Sequence, residues 1–424
     1  MLFFLILILN VHQGCEIALL CRQSADSRVK MENHIQQRYF METTHNVNFL
    51  SATKMSSLPP ETIDLVVTSP PYPMIQMWDE QFSAGSKRIK NALGDYDGPL
   101  AFELMHQQLD KIWTQLFRVL KNGAIACINI GDATRKIGDQ FRLYPNHARL
   151  VSCMLKLGFS MLPAIIWRKQ TNAPNKFMGS GMMPPGAYVT LEHEYILIFR
   201  KGNIRVFSSD EEKMNRRQSS YFWEERNNWF SDVWMALKGT RQKTNHKDIR
   251  SRSGAFPFEL AFRLINMFSV YGDLVLDPFL GTGTTLLASM ACGRNSVSWE
   301  LAEEFAQVID ENTDSLIKLA SGRIRERVEA HIDFVEDRLK TKGPLKHKSN
   351  QYGFPVMTRQ ESDILLLRPE KIEKKGRCHY KAFYKPLSAN GLHPVRFPET
   401  NCSGKIMPEH EKNKSPHGRQ LTLF

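Results

Sequence analysis

The sequence predicts an α/β protein built on a doubly wound sheet with helices on both faces. Short β-branched apolar runs alternate with amphipathic helical segments along most of the chain. Two of those runs stop at sharply punctuated turns, one at consecutive prolines and one at paired glycines, as at the carboxyl ends of strands in a parallel sheet. Composition agrees: 424 residues, 42% apolar and 24% charged, match a folded water-soluble chain and exclude disordered, collagen-like or multi-span membrane classes.

Taken in order, Ile63-Asp64-Leu65-Val66-Val67-Thr68 is a buried strand that runs into Pro70-Pro71. Leu100, Leu104, Leu109, Ile112, Trp113, Leu116, Phe117 and Leu120 mark the apolar face of a long helix that stops near Asn122-Gly123. The pattern then predicts a strand at 124–130, a helix at 146–157, strands at 161–167 and 194–199, and a helix at 258–268. A strand at 274–276, a helix at 286–292 and a strand at 296–300 complete the alternation. Residues 171–186, rich in Pro, Gly and Met, and 203–252, polar, basic and aromatic, read as insertions. Beyond Asn350 three β-like runs (352–356, 364–367 and 380–384), separated by Lys-rich turns, predict a small appended subdomain.

The chain carries 56 Lys+Arg against 44 Asp+Glu, a net +12, which favours a polyanionic partner: nucleic acid first, an anionic membrane surface second. The excess is concentrated from Thr341 onward, where 16 basic residues face 7 acidic ones. Seven cysteines (Cys15, Cys21, Cys127, Cys153, Cys292, Cys378, Cys402) form no Cys-x-x-Cys pair, so free thiols in a reducing, cytoplasmic setting are expected. No paired Cys/His spacing and no His-Glu-x-x-His occur, so no metal site is expected. The apolar run at 2–9 is too short to span a bilayer and lacks the positive flank of a secretory signal. Translation starting at Met31 or Met41 is the alternative.

Two constellations carry chemistry. In Asp64-Leu65-Val66-Val67-Thr68-Ser69-Pro70-Pro71-Tyr72 the two prolines fix φ and remove two backbone donors. The Ser69 and Pro70 carbonyls are thereby held as acceptors beside an aromatic ring. The arrangement suits an amino group arriving on a flat heterocycle, with N–H bonds to Ser69 Oγ and the Pro70 carbonyl and Tyr72 stacked on the ring. Taken alone, a proline turn closing a strand also accounts for it. The second constellation is Leu274-Val275-Leu276-Asp277-Pro278-Phe279-Leu280-Gly281-Thr282-Gly283-Thr284-Thr285, followed by an apolar helix and a strand ending at Glu300. Strand, glycine loop, helix and a terminal acid form a nucleoside-binding pattern, with Glu300 placed for ribose hydroxyls. A third fingerprint glycine and a Gly-Lys-Ser/Thr are both missing, which disfavours a nicotinamide oxidoreductase and a phosphate-cradling loop.

Together the two resemble the DNA amino-methyltransferases. Thr68-Ser69-Pro70-Pro71-Tyr72 resembles their catalytic motif, and Asp277-Pro278-Phe279 with Gly281-Thr282-Gly283-Thr284-Thr285 resembles their S-adenosylmethionine motif. Serine at the first catalytic position is typical of the cytosine-N4 enzymes, whereas Asp or Asn is usual in adenine-N6 enzymes. The catalytic motif precedes the cofactor motif, which resembles the circularly permuted beta arrangement, and 255–260 is similar to the helix entering the cofactor strand. The resemblance spans about 45–319.

It implies an S-adenosylmethionine-dependent methyltransferase sheet and a base flipped out of duplex DNA. The catalytic residues would be Ser69, Pro70, Pro71 and Tyr72. Those for the cofactor would be Asp277, Pro278, Phe279, Gly281, Gly283, Thr284, Thr285 and Glu300. One departure stands out: Phe49-Leu50-Ser51-Ala52-Thr53 lacks the acid that reaches the cofactor adenine in many members, and Ser51 or a backbone group would replace it.

The expected organisation is an N-terminal extension (1–40), a catalytic half (41–202), a target-recognition insertion (203–252), a cofactor half (253–340) and a basic extension (341–424). DNA contacts are expected from Lys87, Arg88 and Lys90, in the loop after the catalytic turn. Others are expected from Arg216, Arg217, Arg226, Arg241 and Lys243, interleaved with Tyr221, Phe222, Trp223 and Trp229. The activity implied is site-specific cytosine-N4 methylation with a cognate restriction endonuclease as partner. Adenine-N6 methylation is the alternative, and a non-catalytic nucleic-acid-binding protein is the alternative of another class. Gln420-Leu421-Thr422-Leu423-Phe424 resembles the peptide that docks into bacterial sliding clamps, with Leu423 and Phe424 as anchors.

Overall fold

A computed structural model describes residues 41–169, 179–235, 237 and 256–388. The 1–40 extension, Arg241, Lys243, three of the cysteines and the 420–424 peptide lie outside them. Strands β1 (Met41–Asn48) and β2 (Ile63–Thr68) precede helices α1 (Asp79–Ala84), α2 (Lys87–Gly94) and α3 (Gly98–Val119). Then come β3 (Leu120–Ile130), a hairpin of β4 (Ala133–Ile137) and β5 (Gln140–Tyr144), α4 (Asn146–Lys156), β6 (Phe159–Arg168) and β7 (His193–Lys201). Helices α5 (Asp210–Gln218) and α6 (Trp223–Trp229), β8 (Val233–Trp234), α7 (Phe258–Phe268), β9 (Leu274–Asp277), α8 (Thr284–Ala291) and β10 (Asn295–Trp299) follow. The last elements are α9 (Phe305–Asp314), α10 (Leu316–Lys342), β11 (His347–Lys348), β12 (Pro355–Val356), β13 (Leu367–Gly376) and β14 (His379–Pro386).

Ten strands form one mixed sheet in the order β13-β14-β1-β10-β9-β2-β3-β7-β6-β8. The five central strands, β1, β10, β9, β2 and β3, are parallel. Antiparallel β7 and β6 extend one flank, and antiparallel β14 and β13 the other. Strand β2 shows why its sequence reads as unbroken apolar: all six residues are buried. Val66 packs into the layer holding Met105, Trp113 and Leu116, while Leu65 and Val67 pack into the opposite layer with Leu264, Ile265 and Leu286. The fold is the doubly wound mixed sheet that the sequence predicts.

Several expectations change. The long helix does not reach Asn122-Gly123, because Leu120 already pairs with Ile63 and β3 starts there. Lys87, Arg88 and Lys90 are helical, not in a loop. Ile89 and Ala92 give α2 a buried face, and Gly85-Ser86 separates it from α1. The tail is not a separate subdomain: β14 pairs with β1 over six positions and covers the edge that the parallel strands would expose. The Lys-rich stretch read as a turn is strand, with Lys371 opposite Phe383 and Lys374 opposite Tyr380. Helix α10 escapes prediction because its buried face includes Arg327 and His331 among Ile324, Val328 and Val335. Among the described residues no helix is long and apolar enough to cross a membrane, and Cys127, Cys153, Cys292 and Cys378 are free and buried.

Candidate active site

Because β2 and β9 lie side by side and parallel, with Val66 opposite Leu276, their two turns leave the same edge of the sheet. The residues just before each turn are bonded to one another: Thr68 Oγ1 donates to Asp277 Oδ1 at 2.6 Å, across 209 residues of sequence. Phe279 N donates to the same oxygen at 3.0 Å, and Thr285 Oγ1 donates to the Val67 carbonyl at 3.2 Å. Burial raises the Asp277 carboxyl from 3.8 to about 6.

The two turns line one cleft of about 1180 Å³. Ser69, Pro70, Pro71 and Tyr72 line it from the first turn, and Asp277, Pro278, Phe279, Gly281, Thr284 and Glu300 from the second and the strand beside it. Gly283 and Thr285, expected at the cofactor, do not line it. Gly283 starts α8 at φ +95°, where a Cβ would meet Ile309 at 3.3 Å, and Thr285 is spent on the Val67 carbonyl. Gly281 is the open position, at φ +55° with nothing within 4 Å of where a Cβ would sit. Glu300 Oε2 accepts from Gly281 N at 2.7 Å and Oε1 from Ala302 N at 2.9 Å, so it shapes the glycine loop while keeping a face on the cleft. Leu50, Ser51, Ala52 and Thr53 also line it, where the family acid is missing. A roomy cleft, an open glycine cradle, a strand-ending carboxylate and an apolar wall from Phe279, Leu301 and Phe305 fit the nucleoside and sulfonium of S-adenosylmethionine.

Behind Ser69 lies a polar chain that sequence reasoning missed. Ser69 Oγ is 3.1 Å from the Tyr72 hydroxyl, which donates to Glu194 Oε2 at 2.9 Å. Asn129 Nδ2 donates to both, at 2.8 Å and 2.7 Å, and Lys169 pairs with Glu194 Oε1. Burial and the Glu194 charge hold the Tyr72 hydroxyl well above its usual range, so it stays protonated. The Tyr72 ring rests on Gly131, where a Cβ would meet Cε2 at 3.0 Å. Glu194 is 122 residues from Tyr72, and only antiparallel pairing of β7 on β3 brings them together. Its one sequence signal was an acid at the start of a predicted strand.

Among the described residues the expected DNA contacts do not gather as a group. Arg88 lines the cleft, and Lys87 and Lys90 share its helix without lining it. Arg216 stacks over Phe207, Arg217 pairs with Asp363, and Arg226 lies over Phe230. Asn215 bonds the Tyr271 carbonyl, ahead of β9, so α5 sits at the end of that strand away from Asp277. Phe222 and Trp229 are core residues rather than free wedges, Tyr221 is part-buried beside them, and Trp223 is exposed.

Residues 63–311 match the family model described as DNA methylase, which takes in N6 and N4 methyltransferases. The type II methyltransferase M.MthZI of Methanothermobacter thermautotrophicus is 50% identical over 349 residues, 82% of this chain and 97% of that protein. M.MjaI of Methanocaldococcus jannaschii, also a type II methyltransferase, is 46% identical over 280 residues, 63% of this chain and 91% of its own. Among solved structures, TTHA0409 of Thermus thermophilus, described as a DNA modification methylase and complexed with S-adenosyl-L-methionine, is 30% identical at a TM-score of 0.50. That alignment covers 64% of this chain and 94% of the other. The diproline turn, the glycine loop and the cleft they line stand on a scaffold shared with these proteins, and the chain belongs to the N6 and N4 amino-methyltransferases as an S-adenosylmethionine-dependent DNA methyltransferase.

Proposed function

We propose that the enzyme methylates the exocyclic N4 of cytosine at a specific site in duplex DNA, as the modification partner of a type II restriction endonuclease. The observation that carries the base assignment is Ser69: a neutral hydroxyl, not a carboxylate or amide, opens the catalytic turn and lines the cleft. The names of the relatives M.MthZI and M.MjaI support the type II setting.

The cytosine amine is a poor nucleophile because its lone pair is delocalised into the ring. Ser69 Oγ and the Pro70 carbonyl accept its two N–H bonds and favour the tetrahedral nitrogen that attacks. The diproline corner keeps both acceptors in place, and the anchored Tyr72 ring flanks the flipped base. When bound, S-adenosylmethionine supplies an electrophilic methyl group. On this chain Glu300 would hold its ribose, the Asp277-to-Gly281 loop its amino-acid part, and the Ser51 region its adenine. Phosphate contacts fall to the carboxyl edge of the sheet, with Arg88 foremost and Lys87 and Lys90 beside it.

Enzymatic digestion of modified DNA tests the assignment. N4-methylcytosine is the expected product; N6-methyladenine would move the enzyme to the adenine class, and absence of methyl transfer to DNA would leave a binding protein. Sliding-clamp docking through 420–424 is tested by clamp retention after removal of those residues, and unchanged retention ends it.

A further inference from the structure

We propose that Glu194 is the terminal proton acceptor of a hydroxyl relay, Ser69 to Tyr72 to Glu194, that removes the proton released when the target amine is methylated. The proposal rests on methylation of an exocyclic amine at the Ser69 turn, and not on which base carries that amine.

The polarity of the chain follows from the chemistry of its members. An amide nitrogen only donates, so Asn129 Nδ2, at 2.8 Å, occupies one lone pair of the Tyr72 oxygen. An ionised carboxylate only accepts, so the Tyr72 proton points to Glu194 Oε2 at 2.9 Å. The remaining Tyr72 lone pair takes the Ser69 proton at 3.1 Å. Every hydrogen in the chain therefore points from Ser69 toward Glu194, and the Ser69 lone pairs are left to accept from the incoming amine.

During transfer the amine nitrogen uses its lone pair to form the N–CH3 bond, while the pair of the breaking S–CH3 bond returns to sulfur. The nitrogen is then positively charged and must lose a proton. Ser69 Oγ takes that proton as its own passes to the Tyr72 oxygen, and the Tyr72 proton passes to Glu194 Oε2. Serine and tyrosine end neutral, and the charge finishes on a group at the cleft wall whose side chain is 13% exposed, from which it reaches water. Lys169 engages the other carboxylate oxygen, so the proton goes to Oε2, which also accepts from Asn129 Nδ2 at 2.7 Å.

Glu194→Gln is the decisive variant, because the amide oxygen still accepts from Tyr72 but cannot hold a proton. Single-turnover methyl transfer should fall about a hundredfold, the scale of a lost general base. The S-adenosylmethionine Kd, by calorimetry, and the KM for DNA should stay within about twofold of the parent. Tyr72→Phe should lose the same factor, and the double variant no more than either single change, because one chain is cut twice. A rate for Glu194→Gln within about twofold of the parent, or losses that add in the double variant, would overturn the relay. Tyr72→Phe decides independently, since it cuts the chain at its middle without touching Glu194. Recovery of N6-methyladenine would overturn the cytosine assignment and leave the relay standing. An unchanged Glu194→Gln rate that still yields N4-methylcytosine would do the reverse.

Discussion

At the carboxyl edge of the sheet, Glu194 collects Tyr72, Asn129 and Lys169, and the chain of bonds runs on to Ser69 and ends at an open cleft. Between α6 and α10, Glu225 and Arg327 meet through two bonds of 2.6 Å and 2.9 Å, with the guanidinium over Phe222, Trp229 and Phe262. Neither Glu225 nor Arg327 lines the cleft, and both side chains are nearly fully buried. Both clusters set a carboxylate among cations and rings. The first borders the cleft through Ser69, Tyr72, Lys169 and Glu194; the second closes its charges on each other and fastens two helices together. A buried charge serves chemistry only where its hydrogen-bonding capacity stays open.

Glu225→Ala breaks the closed cluster and leaves Arg327 buried without its partner, at a cost of about 3–5 kcal/mol. A fall of that size in denaturant unfolding, with S-adenosylmethionine affinity retained by the folded fraction, confirms the division; loss of affinity with unchanged stability would merge the two regions. Next comes Asp277→Asn. Burial raises the Asp277 carboxyl from 3.8 to about 6, so the folded chain holds this proton more tightly than the unfolded one. The associated stability, about 3 kcal/mol, is fully present below about pH 4 and is lost as pH rises through about 6. The variant keeps an acceptor for Thr68 and Phe279, so its melting temperature should fall less than the parent's between pH 4 and 7. Equal slopes would place the effect elsewhere.

Ser69→Ala should reduce kcat about a hundredfold, or ~2.7 kcal/mol, with cofactor affinity nearly intact, and an unchanged kcat removes Ser69 from the mechanism. The smallest and sharpest pair is Gly281→Ala against Gly272→Ala. Both glycines have positive φ, +55° and +80°, and no atom within 4 Å of a new Cβ, so each change adds ~1–2 kcal/mol of backbone strain. Only Gly281 lines the cleft. About tenfold weaker S-adenosylmethionine binding is expected for Gly281→Ala alone, and equal weakening in both would show that strain rather than occupancy is read.

What was legible in the sequence follows the range of the forces involved. Strand β2 and helix α7 fall where periodicity puts them, because a buried run and an apolar helical face are local patterns. The diproline turn and the glycine loop were legible as well, since proline and glycine restrict or free the backbone at their own positions. Failures came where a distant partner decides. The 371–376 stretch is polar enough for a turn and becomes strand because β14 offers it a partner. Helix α10 buries Arg327 and His331 because Glu225 and Glu224 meet them from α6, which no pattern within 316–342 announces.

By itself the sequence determined the two turns, their order along the chain and the residue types that chemistry would need there, because backbone geometry at Pro70-Pro71 and Gly281 is a property of those residues. Tertiary structure alone decided that Thr68 and Asp277 touch, that Glu194 stands behind Tyr72, and that α5 lies at the far end of β9. Strand pairing sets those distances. Pairing is a contest among many alternatives, settled by burial of the whole sheet rather than by any one segment.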